Sequence, residues 1–410
     1  MDIGALGLYL CLFLGLYFEV FLLISFFEKR PAPKASTLPK RYPSVSIVVP
    51  CYNEEATLAG TLNSLLALTY PADKLEVVVV DDGSQDHTGE IASSYAARHR
   101  QISYIRKENG GKYTALNMGI ERSRSEIIGC LDADSFVEHD ALIEVIKGFE
   151  DEKVMAITPA MQVHRPRSLL ELMQSVEYTF GIFYKKMFDN LAAINVLPGP
   201  FSLYRRELFR IIGPFRHAHN TEDMEIAFRI HAHGLTISNA HTAVVYTTVP
   251  KTLRALIKQR TRWSQGFLQN SRDYRYMYFN RAYGNFGTVA LPFLLAGFFA
   301  GLYSAAYILW HLASTILVRL SDFFASGVPM EPLRAPAITW FYLNTGTMMF
   351  VIAMVLMMTL VAILLGNRIS NTKLSLKAFA VYFAFFGLIA PVWLFRAAWG
   401  ALLARESKWR

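Results

Sequence analysis

Three acidic clusters stand directly after short β-branched runs in this 410-residue chain. Tyr52-Asn53-Glu54-Glu55 follows Val45–Val49 and the Pro50-Cys51 step. Asp81-Asp82-Gly83-Ser84 follows Leu75–Val80, and Asp132-Ala133-Asp134 follows Ile127–Leu131. Alternate residues of an extended segment point the same way, so Asp132 and Asp134 can both aim into one cleft. Mg²⁺ or Mn²⁺ takes one or two protein carboxylates and completes its shell with phosphate oxygens. An ordinary reading exists for each cluster alone. Ser135-Phe136-Val137-Glu138 has a capping-box pattern, which would leave Asp134 merely preceding a helix. Asp82-Gly83-Ser84 has the composition of a plain turn. The convergence of three clusters on one sheet edge favours the functional reading.

Three further groups suit the same chemistry. Glu108-Asn109-Gly110-Gly111-Lys112 precedes a helix, where exposed backbone N–H groups and a lysine suit a diphosphate; Gly-Gly is also a common turn. Thr221-Glu222-Asp223 opens a helix running to about His233. Acidic residues in a first turn also simply complement the helix dipole. Gln259, Arg262 and Trp263 stand at i, i+3 and i+4, on one helix face. Trp263 also suits an interfacial anchor. His217 and His219, like His231 and His233, are two apart; such pairs do not share a helix face and have no cysteine nearby, which argues against zinc.

The elements that must position these residues alternate. Strands are expected at Val45–Val49, Leu75–Val80, Ile102–Ile105 and Ile127–Leu131. Helices are expected at about Glu54–Leu68, Asp86–Arg98 and Lys112–Ser123. This spacing gives βαβ units and a largely parallel sheet, whose ligands sit beyond the carboxyl ends of the strands. Neither GxGxxG nor GxxxxGK[ST] occurs, so a dinucleotide enzyme or a P-loop NTPase is not indicated. Residues 168–190 and 252–278 mix apolar and basic residues, as amphipathic helices at a bilayer surface or packing helices of a soluble domain do.

The composition is 53% hydrophobic, and the mean hydropathy is +0.26. The excess gathers at the two ends. Ile3–Phe27 is long enough to cross a bilayer and has no small-x-small cleavage site after it. Apolar stretches follow at about Gly287–Val318, Ala337–Leu365 and Ala378–Leu403. The flank from Glu28 through Lys29, Arg30, Lys34, Lys40 and Arg41 is basic, which places it in the cytoplasm and the N-terminus outside. The linker with Arg368, Lys373 and Lys377 then falls inside. The tail Arg405–Arg410 is also basic and falls on the wrong side. Glu19 and Arg396 either line a polar path or, respectively, pair with a neighbouring helix and snorkel to the interface. The net charge of +8 is compatible with cytoplasmic flanks and phosphate ligands, and it forms no aromatic-interleaved stripe of the kind that binds nucleic acid. Cys11, Cys51 and Cys130 lack metal or disulfide spacing and fit a reducing compartment.

Taken in order, Tyr52-Asn53-Glu54, Asp81-Asp82-Gly83, Gly111-Lys112, Asp132-Ala133-Asp134, Thr221-Glu222-Asp223 and Gln259-Arg260-Thr261-Arg262-Trp263 resemble the family 2 glycosyltransferases. The similarity is to their processive β-glycan synthase branch: cellulose, hyaluronan, chitin and poly-N-acetylglucosamine synthases. The resemblance implies an α/β GT-A (Rossmann-like) cytoplasmic domain inserted between transmembrane helices. Its bounds would be an anchor at 1–27, the catalytic domain at 28–285 and about three helices in 286–410. It implies that Tyr52, Glu54 and Asp82 hold the nucleoside and that Lys112 lies near the phosphates. Asp132 would contact the donor and share the metal with Asp134. Asp223 would be the general base, Gln259 and Arg262 would grip the diphosphate, and Trp263 would form the acceptor platform. Pro198-Gly199-Pro200-Phe201-Ser202 lies where the family places an acceptor loop. The implied activity is inverting transfer from a UDP-sugar to a β-linked polysaccharide, with Mg²⁺ or Mn²⁺, in the plasma membrane. Transfer of one sugar to a membrane lipid is the alternative, because four spans make a thin channel wall without a homo-oligomer or small partner subunit. An inactive membrane scaffold is a third reading, which the full set of acidic motifs opposes.

Overall fold

The computed structural model describes residues 3–27, 38–326, 347–372 and 374–403. The basic flank at 28–34, Lys373, the tail at 405–410 and the first part of the expected span at 337–365 lie outside them. The chain runs α1 (Ile3–Phe27), β1 (Val45–Cys51), α2 (Leu58–Leu66), β2 (Leu75–Asp81), α3 (Thr88–Arg98), β3 (Ile102–Arg106) and α4 (Lys112–Arg122). It continues through β4 (Ile127–Cys130), β5 (Ser135–Val137), α5 (Ala141–Gly148), β6 (Val154–Val163), α6 (Leu169–Asn190), β7 (Ser202–Arg205) and α7 (Arg206–Ile212). Last come α8 (Glu222–Ala232), β8 (Thr236–Thr247), α9 (Leu253–Asp273), α10 (Leu291–Ser326), α11 (Thr347–Ile369) and α12 (Leu376–Leu402).

The strands form one eight-stranded sheet in the order β3-β2-β1-β4-β7-β6-β8-β5. β3, β2, β1 and β4 are parallel, as the βαβ spacing predicts. β7 then joins β4 antiparallel, β6 joins β7 antiparallel, and β8 runs parallel to β6. The sheet is therefore mixed: a Rossmann-like half extended by a second half around β6–β8. β1 is buried throughout and largely apolar, because both its faces are covered. It carries Pro50 without penalty. Pairing with β4 ends at Val48↔Cys130, whereas pairing with β2 continues through Pro50↔Val80. The missing proline N–H thus falls where the β4 ladder has stopped.

Local departures from the expected bounds have local causes. α2 begins at Leu58 rather than near Glu54 because Asn53 is left-handed, at φ 55°. The Glu54 backbone N–H is also drawn to Thr88 Oγ1 at 2.7 Å. α3 starts at Thr88, whose N–H donates to Asp86 Oδ1 at 3.0 Å. The capping-box reading of Ser135–Glu138 is overturned: Ser135–Val137 is β5, paired antiparallel with β8. The next helix, α5, starts only at Ala141. An authentic capping box occurs at Ser168–Glu171, opening α6.

The chain divides into two compact units. One holds the sheet and takes Ser25–Pro292 together with the segment beginning at Ile363. Its core is Val45, Ile47, Val49, Leu62, Val77, Val79, Leu142, Ile157, Leu203 and Val245, packed between sheet and helices. A second cluster joins Met173 and Val176 of α6, Leu256 of α9, Ile363, and Ala378 and Tyr382 of α12. α12 thereby packs along both α6 and α9. The other unit comprises the described residues of Met1–Ile24 and Phe293–Ala362. Within it Tyr303 donates to the Gly4 carbonyl at 2.9 Å, and Thr359 donates to Glu19 Oε1 at 2.8 Å. Glu19 therefore has a partner on a neighbouring helix, and Arg396 lies on an exposed side of α12.

Among the described residues, four helices are long and apolar enough to cross a membrane: Gly4–Phe27, Phe286–Ala325, Met348–Ile369 and Leu376–Leu402. The second is 40 residues long, about twice the length a bilayer needs. It opens with a π-helical turn at Phe286–Ala290.

Candidate active site

The carboxyl ends of β1, β2 and β4 open onto a cavity of about 500 Å³. Tyr52, Glu54, Asp82, Lys112, Asp132 and Asp134 line it, as their places after the strands require. Asn109, Gly110, Gly111, Tyr113, His217, Asn220 and Glu222 complete much of the wall.

Each acidic cluster does a different job. Asp81 points back into the fold, taking the Ser84 N–H at 2.8 Å and the Tyr104 hydroxyl at 3.1 Å. Asp82 organises the glycine turn. Its Oδ1 accepts from Gly110 N at 3.0 Å and Lys107 Nζ at 2.5 Å, and its Oδ2 from Gly111 N at 2.8 Å. Gly111 sits at φ 92°, a left-handed step open to glycine, and caps α4. That places Lys112 at the helix N-terminus, within the cavity.

Lys112 is the electrostatic centre. Its Nζ lies 2.5 Å from Asp132 Oδ1 and 3.7 Å from Glu222 Oε1. Burial opposes its charge, but the Asp132 and Glu222 carboxylates win and hold its pKa above the ordinary lysine value. Gly199 of the Pro198-Gly199-Pro200 segment covers this pair. A Cβ on Gly199 would stand 2.5 Å from both Asp132 Oδ1 and Lys112 Nζ.

Asp134 is pinned by two hydroxyls, from Thr248 Oγ1 at 3.0 Å and Ser135 Oγ at 3.2 Å. Burial, then the Asp132 and Glu54 carboxylates, push its pKa up to about 6. Crowded carboxylates of this kind are what a bound cation relieves. Among the described residues no group of three or more His, Cys, Asp or Glu side chains gathers as a metal cage. Asp132 and Asp134 fit instead the sparse all-oxygen donor set of Mg²⁺ or Mn²⁺, with substrate phosphates completing the shell.

Asp223 lies in the first turn of α8, beside the cavity-lining Glu222. Its Oδ1 takes the Met224 N–H at 2.9 Å, and its carbonyl takes the Leu197 N–H at 3.0 Å. The second bond ties α8 to the segment leading into Pro198. Burial and then Glu222 raise the Asp223 pKa to about 6, against the opposing pull of Lys112 and Arg262.

Gln259, Arg262 and Trp263 lie on α9, outside the residues that line the cavity. Arg262 reaches its rim, donating from Nη1 to the Asn220 carbonyl at 2.5 Å. Ala218, His219 and Asn220 all have left-handed φ, at 43°, 57° and 60°. His219 Nε2 meets Asp273 Oδ2, at the end of α9, at 2.8 Å. The segment 217–220 thus couples α8 to α9 at the cavity edge. Its role, like that of Lys107, was missed from sequence: no motif marks it. The other histidine pair is used internally, His231 against the Ile194 carbonyl and His233 against that of Arg229, each at 2.8 Å.

A GT-A-like sheet whose strand ends carry a DxD pair and a cavity-lining lysine, with a half-buried aspartate beside them, has the make-up of a glycosyltransferase site. Residues 46–213 match the Glycosyl transferase family 2 model, and the chain carries a domain of that family. Its relatives include the poly-β-1,6-N-acetyl-D-glucosamine synthase of Staphylococcus epidermidis, 33% identical over 262 residues, or 62% of this chain and 63% of that one. The synthase of the same name from Staphylococcus aureus (strain COL) is 34% identical over 224 residues, covering 54% of each chain. The match therefore spans a little over half the length of these relatives. Among solved structures, the mannosyltransferase PcManGT from Pyrobaculum calidifontis, in complex with GDP-Man and Mn²⁺, superposes with a TM-score of 0.67. The superposition covers 98% of this chain and 99% of that one at 22% identity, a likeness of fold.

Proposed function

We propose that the protein is an inverting glycosyltransferase that moves a sugar from a UDP-sugar onto a growing β-linked polysaccharide at the membrane. The observation that carries this reading is the meeting of Lys112, Asp132 and Glu222 in one cavity with Asp134, beside the half-buried Asp223. The identity with poly-β-1,6-N-acetyl-D-glucosamine synthases supports a β-glycan product and makes UDP-GlcNAc the first donor to test.

Tyr52, Glu54 and Asp82 are assigned to the nucleoside, with Asp82 acting partly through the glycine turn it holds. Lys112, Gln259 and Arg262 are assigned to the diphosphate. Asp132 and Asp134 would hold Mg²⁺ or Mn²⁺, which supplies positive charge to the departing diphosphate. Asp223 takes the proton from the acceptor hydroxyl as that oxygen bonds to the anomeric carbon. The bond from that carbon to the phosphate oxygen breaks, and its electron pair leaves with UDP. Arg262 and Lys112 stabilise the growing negative charge in a partly dry cleft. Single displacement inverts the centre, so an α-linked donor gives a β-linkage. Trp263 offers an apolar ring to the C–H face of the acceptor sugar.

The sheet-bearing domain is assigned to the cytoplasmic side of the plasma membrane, with α6 and α9 against α12 at the bilayer surface. The presence of four candidate spans among the described residues favours a second reading, transfer of one sugar to a membrane lipid. The deciding experiment measures UDP release by purified protein in detergent across UDP-sugars, with Mn²⁺, Mg²⁺ or EDTA. Release with one donor is expected, lost with EDTA and in Asp134→Asn and Asp223→Asn. Sizing the product then separates polymer from glycolipid, and an α-linked product would sink the inverting mechanism.

A further inference from the structure

Arg260 has no task in the reading above, yet it is 4% exposed and fully engaged. Its guanidinium grips Glu177 of α6 with two prongs, Nε to Oε1 and Nη2 to Oε2, each at 2.9 Å. The remaining arm, Nη1, donates to Gln259 Oε1 at 2.5 Å. The Trp263 ring lies over the guanidinium, its centroid 4.2 Å from Cζ. The Tyr178 ring stands at 6.0 Å. One buried cation thus touches two of the three side chains assigned to substrate on α9.

Burying such a pair is expensive, and apolar residues of equal volume would hold two helices together as well or better. The cost is better explained by geometry. A guanidinium only donates, so the carboxamide oxygen of Gln259 must face Arg260. That orients the amide so that its NH₂, the end able to donate to an anion, is turned away from Arg260. The planar guanidinium likewise gives the Trp263 ring a flat surface to rest on. A lysine supplies neither the fork nor the plane.

We propose that Glu177 and Arg260 form a positioning pair that fixes the amide orientation of Gln259 and the ring plane of Trp263. Glu177 on α6 aims the guanidinium, and the guanidinium aims both neighbours on α9. Donor grip and acceptor platform are set by one buried group, so loosening it disturbs both together. This rests on the assignment of Gln259 to the diphosphate and Trp263 to the acceptor.

The test uses the full chain in detergent, with UDP as ligand in the presence of Mn²⁺, and acceptor KM and kcat alongside. Gln259→Ala and Arg260→Gln should each weaken UDP binding about tenfold, the worth of one charge-assisted hydrogen bond. The double variant should bind no more weakly than either single, because Arg260 acts through Gln259. Arg260→Gln should also raise the acceptor KM, which Gln259→Ala leaves unchanged. Arg260→Lys, which keeps the charge, should fail to rescue either effect. If Arg260→Gln does not fold, Glu177→Gln keeps its volume and frees the guanidinium, and the same shifts in the same direction are expected. A purely structural pair would lower Tm while the folded fraction kept wild-type affinity, and that result overturns the proposal. Losses that multiply in the double variant overturn it too. If Gln259→Ala itself binds UDP normally, the diphosphate assignment fails and the proposal falls with it. If Gln259→Ala is weakened and Arg260→Gln is not, the proposal alone fails.

Discussion

Asp223 illustrates how a side chain's surroundings set its usefulness. A free aspartate is ionised at all physiological pH values but is a weak base. Burial and the neighbouring Glu222 bring Asp223 up to about 6, nearer the range in which a base can accept a proton and still be ionised at neutrality. The proposed base works as the carboxylate, so kcat/KM should fall as pH is lowered through about 6 and level off above it. Asp223→Asn should lower kcat by about 10²–10⁴, with the donor KM little changed. Gly199 supplies a second expectation. Any side chain there must displace the Asp132–Lys112 pair or lift the loop from it. Gly199→Ala should leave Tm nearly unchanged while reducing kcat by on the order of 10²-fold, the effect of about 1 Å of misplacement at a reacting centre. A kinetic assay beside a thermal melt checks both halves.

At the level of elements, the parallel half of the sheet is legible because β1, β2 and β4 are largely apolar runs closed by acidic or turn residues. Asp132 and Asp134 could be placed for the same reason. The mixed half is not legible. Ser135–Val137 reads as a helix start, and only pairing with β8, more than a hundred residues on, makes it a strand. Lys107, Asn220 and Glu177 were invisible because their partners are distant in sequence and no local pattern marks them. The same holds for the tie between α8 and the end of α7. Arg229 donates to the Ile212 and Pro214 carbonyls at 2.8 and 2.9 Å and to Glu225 Oε2 at 2.8 Å. Tyr274 donates to the other Glu225 oxygen at 2.6 Å. Arg229→Met should cost about 3 kcal/mol, because it leaves the buried Glu225 carboxylate with only the more distant, exposed Arg216 at 3.7 Å. Adding Glu225→Gln should recover much of that loss. Thermal unfolding of the single and double variants in detergent measures the difference, and equal Tm values for the two would contradict this account.

For the molecule as a whole, orientation decides what the chemistry can reach, because nucleotide sugars are made in the cytoplasm. Short basic linkers set the orientation of membrane spans, and of these the one between α11 and α12 lies among the described residues, Lys373 apart. It carries Arg368 in the last turn of α11 and Lys377 in the first turn of α12. It belongs to the same compact unit as the sheet. Gln162 of β6 donates to the Ser370 carbonyl at 3.1 Å, which fixes the linker to the catalytic half. Linker and cavity therefore belong on one side of the membrane, and the positive-inside rule predicts the cytoplasmic side for both. Asn371 is exposed in this linker. The native Cys51 and Cys130 are buried, and only Cys11 needs replacing by serine. In Cys11→Ser, Asn371→Cys protein, a membrane-impermeant maleimide should label inverted vesicles and spare intact cells. Labelling of intact cells would put the catalytic domain outside, where no cytoplasmic UDP-sugar could supply it, and the donor assignment would fall with the topology.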